Sequence, residues 1–328
     1  MSKRSTMRIC AIGLRGIPDV MGGIETHCEH LYPEMMSADP NCSITVIGRS
    51  PYINSGSYRG IRVLTVWAPK QKFLETLIHT PLAIMYARLR VKADVMHLHG
   101  IGPGFFAPLA KLLGFKLVAT HHALDYDRPK WSSLGRAFLR SGEFMIAKFA
   151  NRIVCVSDVV RNELTRKYPA SSGKSVTIRN GAPPLPDKLP DAPALLHKLG
   201  LGKRPYILAV GRLDSTKGFD VLIEAYKASS ISGTHDLAIA GGGQDGDPYV
   251  DRLKTLGGGT VRFLGAQPAV RVRRLYENAA LFVHPSHLEG FPLVVREALG
   301  AGAPVLISDI GPHLEVGLPK AHYSTDDN

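Results

Sequence analysis

Tyr206-Ile-Leu-Ala-Val210-Gly211-Arg212-Leu-Asp214-Ser-Thr-Lys217-Gly218 joins an apolar run to a glycine and then sets two cations five residues apart. Five apolar residues in a row, bounded by Pro205 and Gly211, suit a strand buried on both faces. A helical pattern follows over Gly218–Ala228. Backbone N–H groups and the dipole at a helix start attract anions. With Arg212 and Lys217 beside that start, the stretch suits a diphosphate. A departing pyrophosphate needs this kind of charge compensation.

Outward from this stretch the alternation continues. Asp236–Ala240, Val261–Leu264, Leu281–Val283 and Pro304–Ile307 read as strands, with helical patterns at Val270–Asn278 and Pro292–Gly300. Toward the N-terminus the strand-like runs are Ile9–Gly13, Ser43–Ile47, Ile61–Val66, Val95–Leu98, Lys116–Thr120, Arg152–Val156 and Ser175–Ile178. Helical stretches at Thr26–Met36, Phe73–Arg90 and Leu134–Ala150 lie between them. Alternating β and α with apolar strands predicts α/β architecture, a parallel sheet covered on both faces.

Between the two series, the stretch from Gly181 is dense in proline, which stops helices and strands. The division expected is an N-terminal doubly wound, Rossmann-like domain over 7–182, a Pro-rich linker over 183–204, and a second such domain over 205–328. Ligands are expected at the strand C-termini, in a cleft that the two domains face.

A second chemistry-bearing segment is His284-Pro-Ser-His-Leu-Glu289-Gly290-Phe291-Pro292-Leu293-Val-Val-Arg-Glu297. Gly290 and Pro292 suit a helix start. Glu289 falls in the loop and Glu297 on the helix. Both carboxylates can accept hydrogen bonds from sugar hydroxyls. Near the N-terminus, Gly22-Gly23 follows the first strand and precedes a helix, so backbone there can approach a phosphate or sugar closely. It lacks the Gly-x-Gly-x-x-Gly spacing of a dinucleotide site.

Two strand ends carry histidine pairs, His97 with His99 and His121 with His122. His97 and His99 read as acceptor-side or structural groups. Neither pair has the carboxylate pattern expected of a metal site. Asp245-Gly-Asp247 has the form of an Asp-x-Asp metal motif but follows a Gly-rich turn and reads as a surface loop. Cys10, Cys28, Cys42 and Cys155 show no metal-ligand spacing and read as free thiols.

The Gly-Arg-Leu-x4-Lys-Gly stretch and the Glu-Gly-Phe-Pro-x4-Glu-Ala stretch, in this order, resemble glycosyltransferase family 4. These are retaining enzymes of two-Rossmann GT-B architecture. The opening from Ile12 through Gly16, Gly22, Gly23 and Glu25 to Thr26 resembles members that build bacterial surface polysaccharides, including rhamnosyltransferases. The resemblance runs from about Arg8 to about Tyr323. It implies that Arg212 and Lys217 hold the donor diphosphate, that Glu289 contacts the donor sugar, and that Glu297 hydrogen-bonds the ribose. Gly22, Gly23, Gly211, Gly290, Phe291, Pro292 and Leu293 would line the donor. It places a histidine after the strand ending near Thr120. The family's Thr-x-His-Gly spacing favours His122 as the catalytic histidine and leaves His121 open, with Ala123 where the family often has glycine. Asn180-Gly181 matches the family's Asn-Gly hinge. Family members run further at the C-terminus, so the second domain is expected to lack its last helices.

The implied activity is transfer of a hexosyl group from a nucleoside-diphosphate sugar to a hydroxyl, in exopolysaccharide or lipopolysaccharide synthesis. The alternatives are a truncated non-catalytic nucleotide-sugar binder and a nucleotide-sugar epimerase. No cofactor and no metal are expected, because two cations already compensate the phosphates.

Composition bounds the partners. Hydrophobic residues make up 45% of the 328 and charged residues 21%, a globular balance that excludes a disordered chain. No apolar run reaches the roughly 18 residues of a spanning helix, and no leader peptide is evident. A cytoplasmic protein is expected, peripheral at the inner face of the plasma membrane. Residues 1–180 carry 25 Lys and Arg against 12 Asp and Glu, while residues 181–328 carry 15 against 16. A basic first half suits an anionic surface or a phosphorylated lipid-linked acceptor. Phe73–Arg90, apolar and ending in Arg88, Arg90 and Lys92, is the candidate contact. Scattered basic residues without a recognised motif argue against nucleic acid.

Overall fold

A computed structural model describes residues 6–182, 188–243 and 246–325. The chain divides into two compact units, one ending at Asn180 and one beginning at Gly181. In the first, strands β1 (Met7–Ile12), β2 (Cys42–Arg49), β3 (Gly56–Tyr58), β4 (Ile61–Val66), β5 (Val95–His99), β6 (Lys116–His121), β7 (Arg152–Cys155) and β8 (Ser175–Thr177) form one sheet. Its order is β3-β4-β2-β1-β5-β6-β7-β8, parallel except where β3 runs against β4. The second unit holds β9 (Tyr206–Val210), β10 (Asp236–Ala240), β11 (Val261–Gly265), β12 (Leu281–His284), β13 (Val305–Ser308) and β14 (Tyr323–Ser324). They form a parallel sheet in the order β11-β10-β9-β12-β13-β14.

Strand alternation builds the core of each unit twice. In β9, Leu208 and Val210 enter one apolar cluster while Ile207 and Ala209 enter the other. In β1, Cys10 and Ile12 face one cluster while Ile9 and Ala11 face its opposite. Both faces of each sheet are therefore covered, as parallel sheets require. All four cysteines are buried and free.

In both sheets the winding direction reverses beside the first strand, between β1 and β5 and between β9 and β12. The chains leaving two such neighbouring strands diverge to opposite faces, which opens a crevice at their carboxyl ends. Gly22-Gly23, His97 with His99, the Arg212–Lys217 stretch and the Glu289 loop belong to or follow these strands, while His121 and His122 stand at the end of β6.

The stretch read as linker is partly ordered. Its residues 183–187 lie outside the described residues, but Ala192–Lys198 is a helix. The Asp191 carboxylate accepts the Ala194 N–H at 2.9 Å, and Pro193 sits in the first turn, where its missing N–H costs nothing. Leu196, Leu199 and Leu201 pack on the second unit's core. Counting prolines hid this helix because its two start signals lie inside the proline-rich run. Helices Asp158–Lys167 and Pro248–Gly257 were not foreseen either. The expected helix Phe73–Arg90 is a helix Lys72–Tyr86 continued by a wider π turn, Ala87–Val91. Among the described residues no helix is long and apolar enough to cross a membrane.

Candidate active site

In the second unit, Arg212 and Lys217 follow β9, and Glu289 follows the adjacent strand β12. A short 3-10 turn, Ser215–Lys217, separates β9 from helix Phe219–Ala228. The Asp214 carboxylate accepts the Thr216 N–H at 3.0 Å and fixes this turn. Gly218 then has φ +63°, and a Cβ there would lie 2.2 Å from the Pro285 carbonyl oxygen. Only glycine lets the Lys217 loop approach the β12 loop so closely. The loops are laced by hydrogen bonds: Thr216 O accepts from His287 N and from Ser286 Oγ, each at 2.9 Å. Ser308 Oγ, at the end of β13, donates to Ser286 O at 2.6 Å.

Lys217 Nζ forms an ion pair with Glu289 Oε1, and His284 Nε2 lies 2.7 Å from the same oxygen. The Lys217 and Glu289 side chains are nearly buried and His284 is fully buried. Burial pushes the His284 imidazole below its usual pKa, so the ring is neutral and its Nε2–H donates to the carboxylate. Burial alone would raise the Glu289 carboxyl; the Lys217 charge and the His284 hydrogen bond outweigh it and hold it well below the usual range. Glu297 is pushed the other way. Burial raises its pKa, and its Oε2 accepts from Tyr276 Oη at 3.3 Å. The two carboxylates of one motif thus differ in charge preference, which fits them for different partners.

Arg212 does not share the pocket-like setting of Lys217. Its side chain is 44% exposed and pairs with Asp214 at 3.3 Å. Gly211 follows β9, and a Cβ there would meet the Phe219 ring at 3.4 Å and the Lys217 side chain at 3.9 Å, ordinary contact distances. Gly290, Phe291 and Pro292 are buried, and Pro292 precedes the first helical residue, Leu293.

The first unit gathers its own set at the β1/β5 reversal. Gly22 precedes helix Gly23–Ala38, and a Cβ on Gly22 would press on the Glu25 carboxylate at 2.0 Å. That carboxylate accepts the Arg15 N–H at 2.8 Å. His121 and His122 part company here. The His121 ring is buried, with Nε2 2.9 Å from Glu143 Oε1, and Glu143 also accepts from Tyr126 Oη. His122, one residue past β6, is half-buried with Nε2 3.0 Å from His99 Nδ1. Of the pair, His122 is the one open to a ligand. His97 and His99 are buried in a network: His97 Nε2 lies 2.7 Å from Thr120 Oγ1, and the Tyr32 hydroxyl lies between His97 Nδ1 at 3.0 Å and His99 Nε2 at 2.5 Å.

Sequence reasoning missed His284, which orients Glu289. Its place at the end of β12, five residues before the carboxylate, was the available signal. It also missed His27, on the first helix, whose ring packs edge-on against His122 with centroids 5.1 Å apart. Asp245 lies outside the described residues. Asp247 accepts the Tyr249 N–H at 3.0 Å and caps the helix behind it.

Comparison with known proteins converges on one family. The model of Glycosyltransferase Family 4 matches residues 21–184, and that of Glycosyl transferases group 1 matches residues 193–320. An uncharacterized glycosyltransferase of Methanocaldococcus jannaschii is 26% identical over 325 residues, 94% of this chain and 82% of that one. The sucrose-phosphate synthase of Thermosynechococcus elongatus superposes with a TM-score of 0.78 at 20% identity, over 97% of this chain and 85% of that one. Anabaena HepE in complex with UDP-glucose gives 0.73 at 18% identity, over 97% and 85%. These likenesses show the shared fold, and the family models decide membership: the chain belongs to glycosyltransferase family 4, with the two parallel-sheet units of the GT-B class, and is a hexosyltransferase.

Proposed function

We propose that the chain moves a hexosyl group from a nucleoside-diphosphate sugar to a hydroxyl acceptor with retained anomeric configuration. The observation that carries this is the Lys217–Glu289 ion pair, braced by His284, at the ends of neighbouring strands β9 and β12. Its ammonium is a preplaced positive charge in a largely desolvated setting, where it acts more strongly than in water. The donor's diphosphate takes its place against Lys217, and Arg212 swings from Asp214 to share the charge. Glu289, held ionised, accepts hydrogen bonds from the donor sugar, while Glu297 binds the ribose. The departing diphosphate helps deprotonate the acceptor, so no protein nucleophile is used, and Arg212 and Lys217 stand in for a divalent metal. Of the first unit, His122 and the Gly22-Gly23 backbone are the groups proposed for the donor sugar. Bound UDP-glucose in the HepE structure supports a nucleotide-sugar donor.

The acceptor proposed is a glycan or lipid-linked sugar of a surface polysaccharide. Leu74, Leu82, Met85 and Leu89 are exposed on the helix Lys72–Tyr86 and its π turn, beside exposed Arg88, Arg90 and Lys92. Leu112, on the helix packed against it, is 83% exposed. Apolar side chains flanked by cations suit a surface helix at an anionic bilayer, which supports a peripheral membrane location. The experiment is a thermal-shift screen of UDP-, GDP- and dTDP-sugars, followed by transfer assays with the stabilising donor. A donor that stabilises the wild type but not Lys217→Ala, and is consumed only with acceptor, supports the reading. Epimerised donor without acceptor contradicts it.

A further inference from the structure

Helix Gly23–Ala38 and the ends of β5 and β6 bring His27, His99 and His122 together. One ring nitrogen of each lies within 4.8 Å of the other two. His99 Nδ1 and His122 Nε2 are 3.0 Å apart, and His27 Nε2 is buried without a hydrogen-bond partner. We propose that these three imidazoles form a binding site for a zinc-class divalent cation on the first unit.

Ligand chemistry favours this class. Imidazole nitrogen suits zinc, copper and nickel, whereas magnesium and calcium require oxygen. No carboxylate stands among the three. A tetrahedral zinc with Zn–N bonds of about 2.0–2.1 Å holds its nitrogens roughly 3.3 Å apart. The His99–His122 pair, at 3.0 Å, is already close to that spacing, and the half-buried His27 ring packs against both. The fourth position is left for water or a ligand.

The surroundings orient His99 as a ligand. His99 Nε2, Tyr32 Oη, His97 and Thr120 Oγ1 form an unbroken hydrogen-bond chain. The chain can carry its protons in either sense. In one sense His99 Nε2–H donates to Tyr32, Tyr32 donates to His97 Nδ1, and His97 Nε2–H donates to Thr120. His99 Nδ1 is then a lone pair 3.0 Å from His122 Nε2 and 3.6 Å from Cys28 Sγ. A ligating histidine is usually oriented by such a donor bond from its second nitrogen. The other close trio, His284, Glu289 and His313, is less suited, because its carboxylate already holds the Lys217 ammonium.

The test is calorimetric titration of chelator-treated full-length chain with Zn2+, and with Co2+ followed by visible absorption. Wild type should bind one Zn2+ tightly and give the intense d–d bands of tetrahedral Co2+. His27→Gln should weaken binding more than tenfold and lose those bands, with its melting temperature without metal kept close to wild type. Tyr32→Phe should weaken binding roughly 10- to 100-fold, and His30→Gln, one turn along the same helix, should leave it unchanged. Absence of binding to wild type, or equal affinity in wild type and His27→Gln, would overturn the proposal.

Discussion

Lys217 and Glu289 are 72 residues apart in sequence and meet because their strands, β9 and β12, are neighbours in the sheet. The pair joins the two motifs into one electrostatic unit. Truncating one partner leaves the other buried and uncompensated, which costs about 3–5 kcal/mol in comparable pairs. Lys217→Ala should therefore destabilise the second unit by an amount of that order. The double variant Lys217→Met/Glu289→Gln should lose much less than the sum of the two single changes. Urea denaturation of the four chains gives the coupling. Additive losses would mean the two groups do not interact.

Gly218 and Gly211 bracket the same loop but should respond differently to alanine. At Gly218 the new Cβ meets the Pro285 carbonyl oxygen at 2.2 Å with φ +63°; at Gly211 it meets the Phe219 ring at 3.4 Å. Gly218→Ala is expected to cost more than about 1 kcal/mol and to weaken donor binding, because the loop must move. Gly211→Ala should stay within about 1 kcal/mol of wild type. Circular-dichroism melts and nucleotide titrations of both variants decide it.

Stability should fall in acid, with a predictable window. Burial lowers His97 to about 3 and His27, His79 and His313 to about 4. The unfolded chain, with histidines near pKa 6.5, binds more protons between these values. Their contribution is thus whole above pH 6.5 and is lost as pH drops toward 4 and 3. Glu289, held well below the usual carboxylate range, contributes above its unfolded value and loses that only as pH falls through its folded one. Calorimetric melting from pH 8 to pH 4 should show a midpoint that declines below pH 6.5, with a shallower slope in His27→Gln. A flat profile would show these rings to be freely protonated.

Chelation and zinc addition should act differently on transfer. EDTA should leave the rate unchanged if, as proposed, Arg212 and Lys217 compensate the diphosphate without a metal. Zn2+ should inhibit wild type, because it would occupy the His122 edge, and should inhibit His27→Gln far less. Initial rates with and without each reagent measure both effects.

Much of the architecture was legible in the sequence. Apolar runs, such as Tyr206–Val210 before Gly211, located β1, β2 and β4 to β13 to within a residue or two, while the short β3 and β14 were not foreseen. The local form of the two motifs proposed for the donor was legible because each is contiguous: a strand end, a turn and a helix start. The relationships between them were not. That Glu289 pairs with Lys217 follows from strand order, which periodicity does not encode. The histidine cluster escaped for the same reason, since His27 and His99 are separated by the whole of β2 to β4. His121 and His122 looked equivalent as neighbours; the strand's end turns one toward Glu143 and the other toward His99. The helix Ala192–Lys198 was masked by prolines that read as breakers but serve as its start.

The most direct measurement is the affinity of the chain for UDP and GDP by titration calorimetry, wild type against Lys217→Ala and Arg212→Ala. If these cations hold the diphosphate, each variant should bind the preferred nucleotide at least tenfold more weakly, and transfer should fall roughly 100- to 1,000-fold. Equal affinities in folded variants would contradict the account and place the phosphates elsewhere.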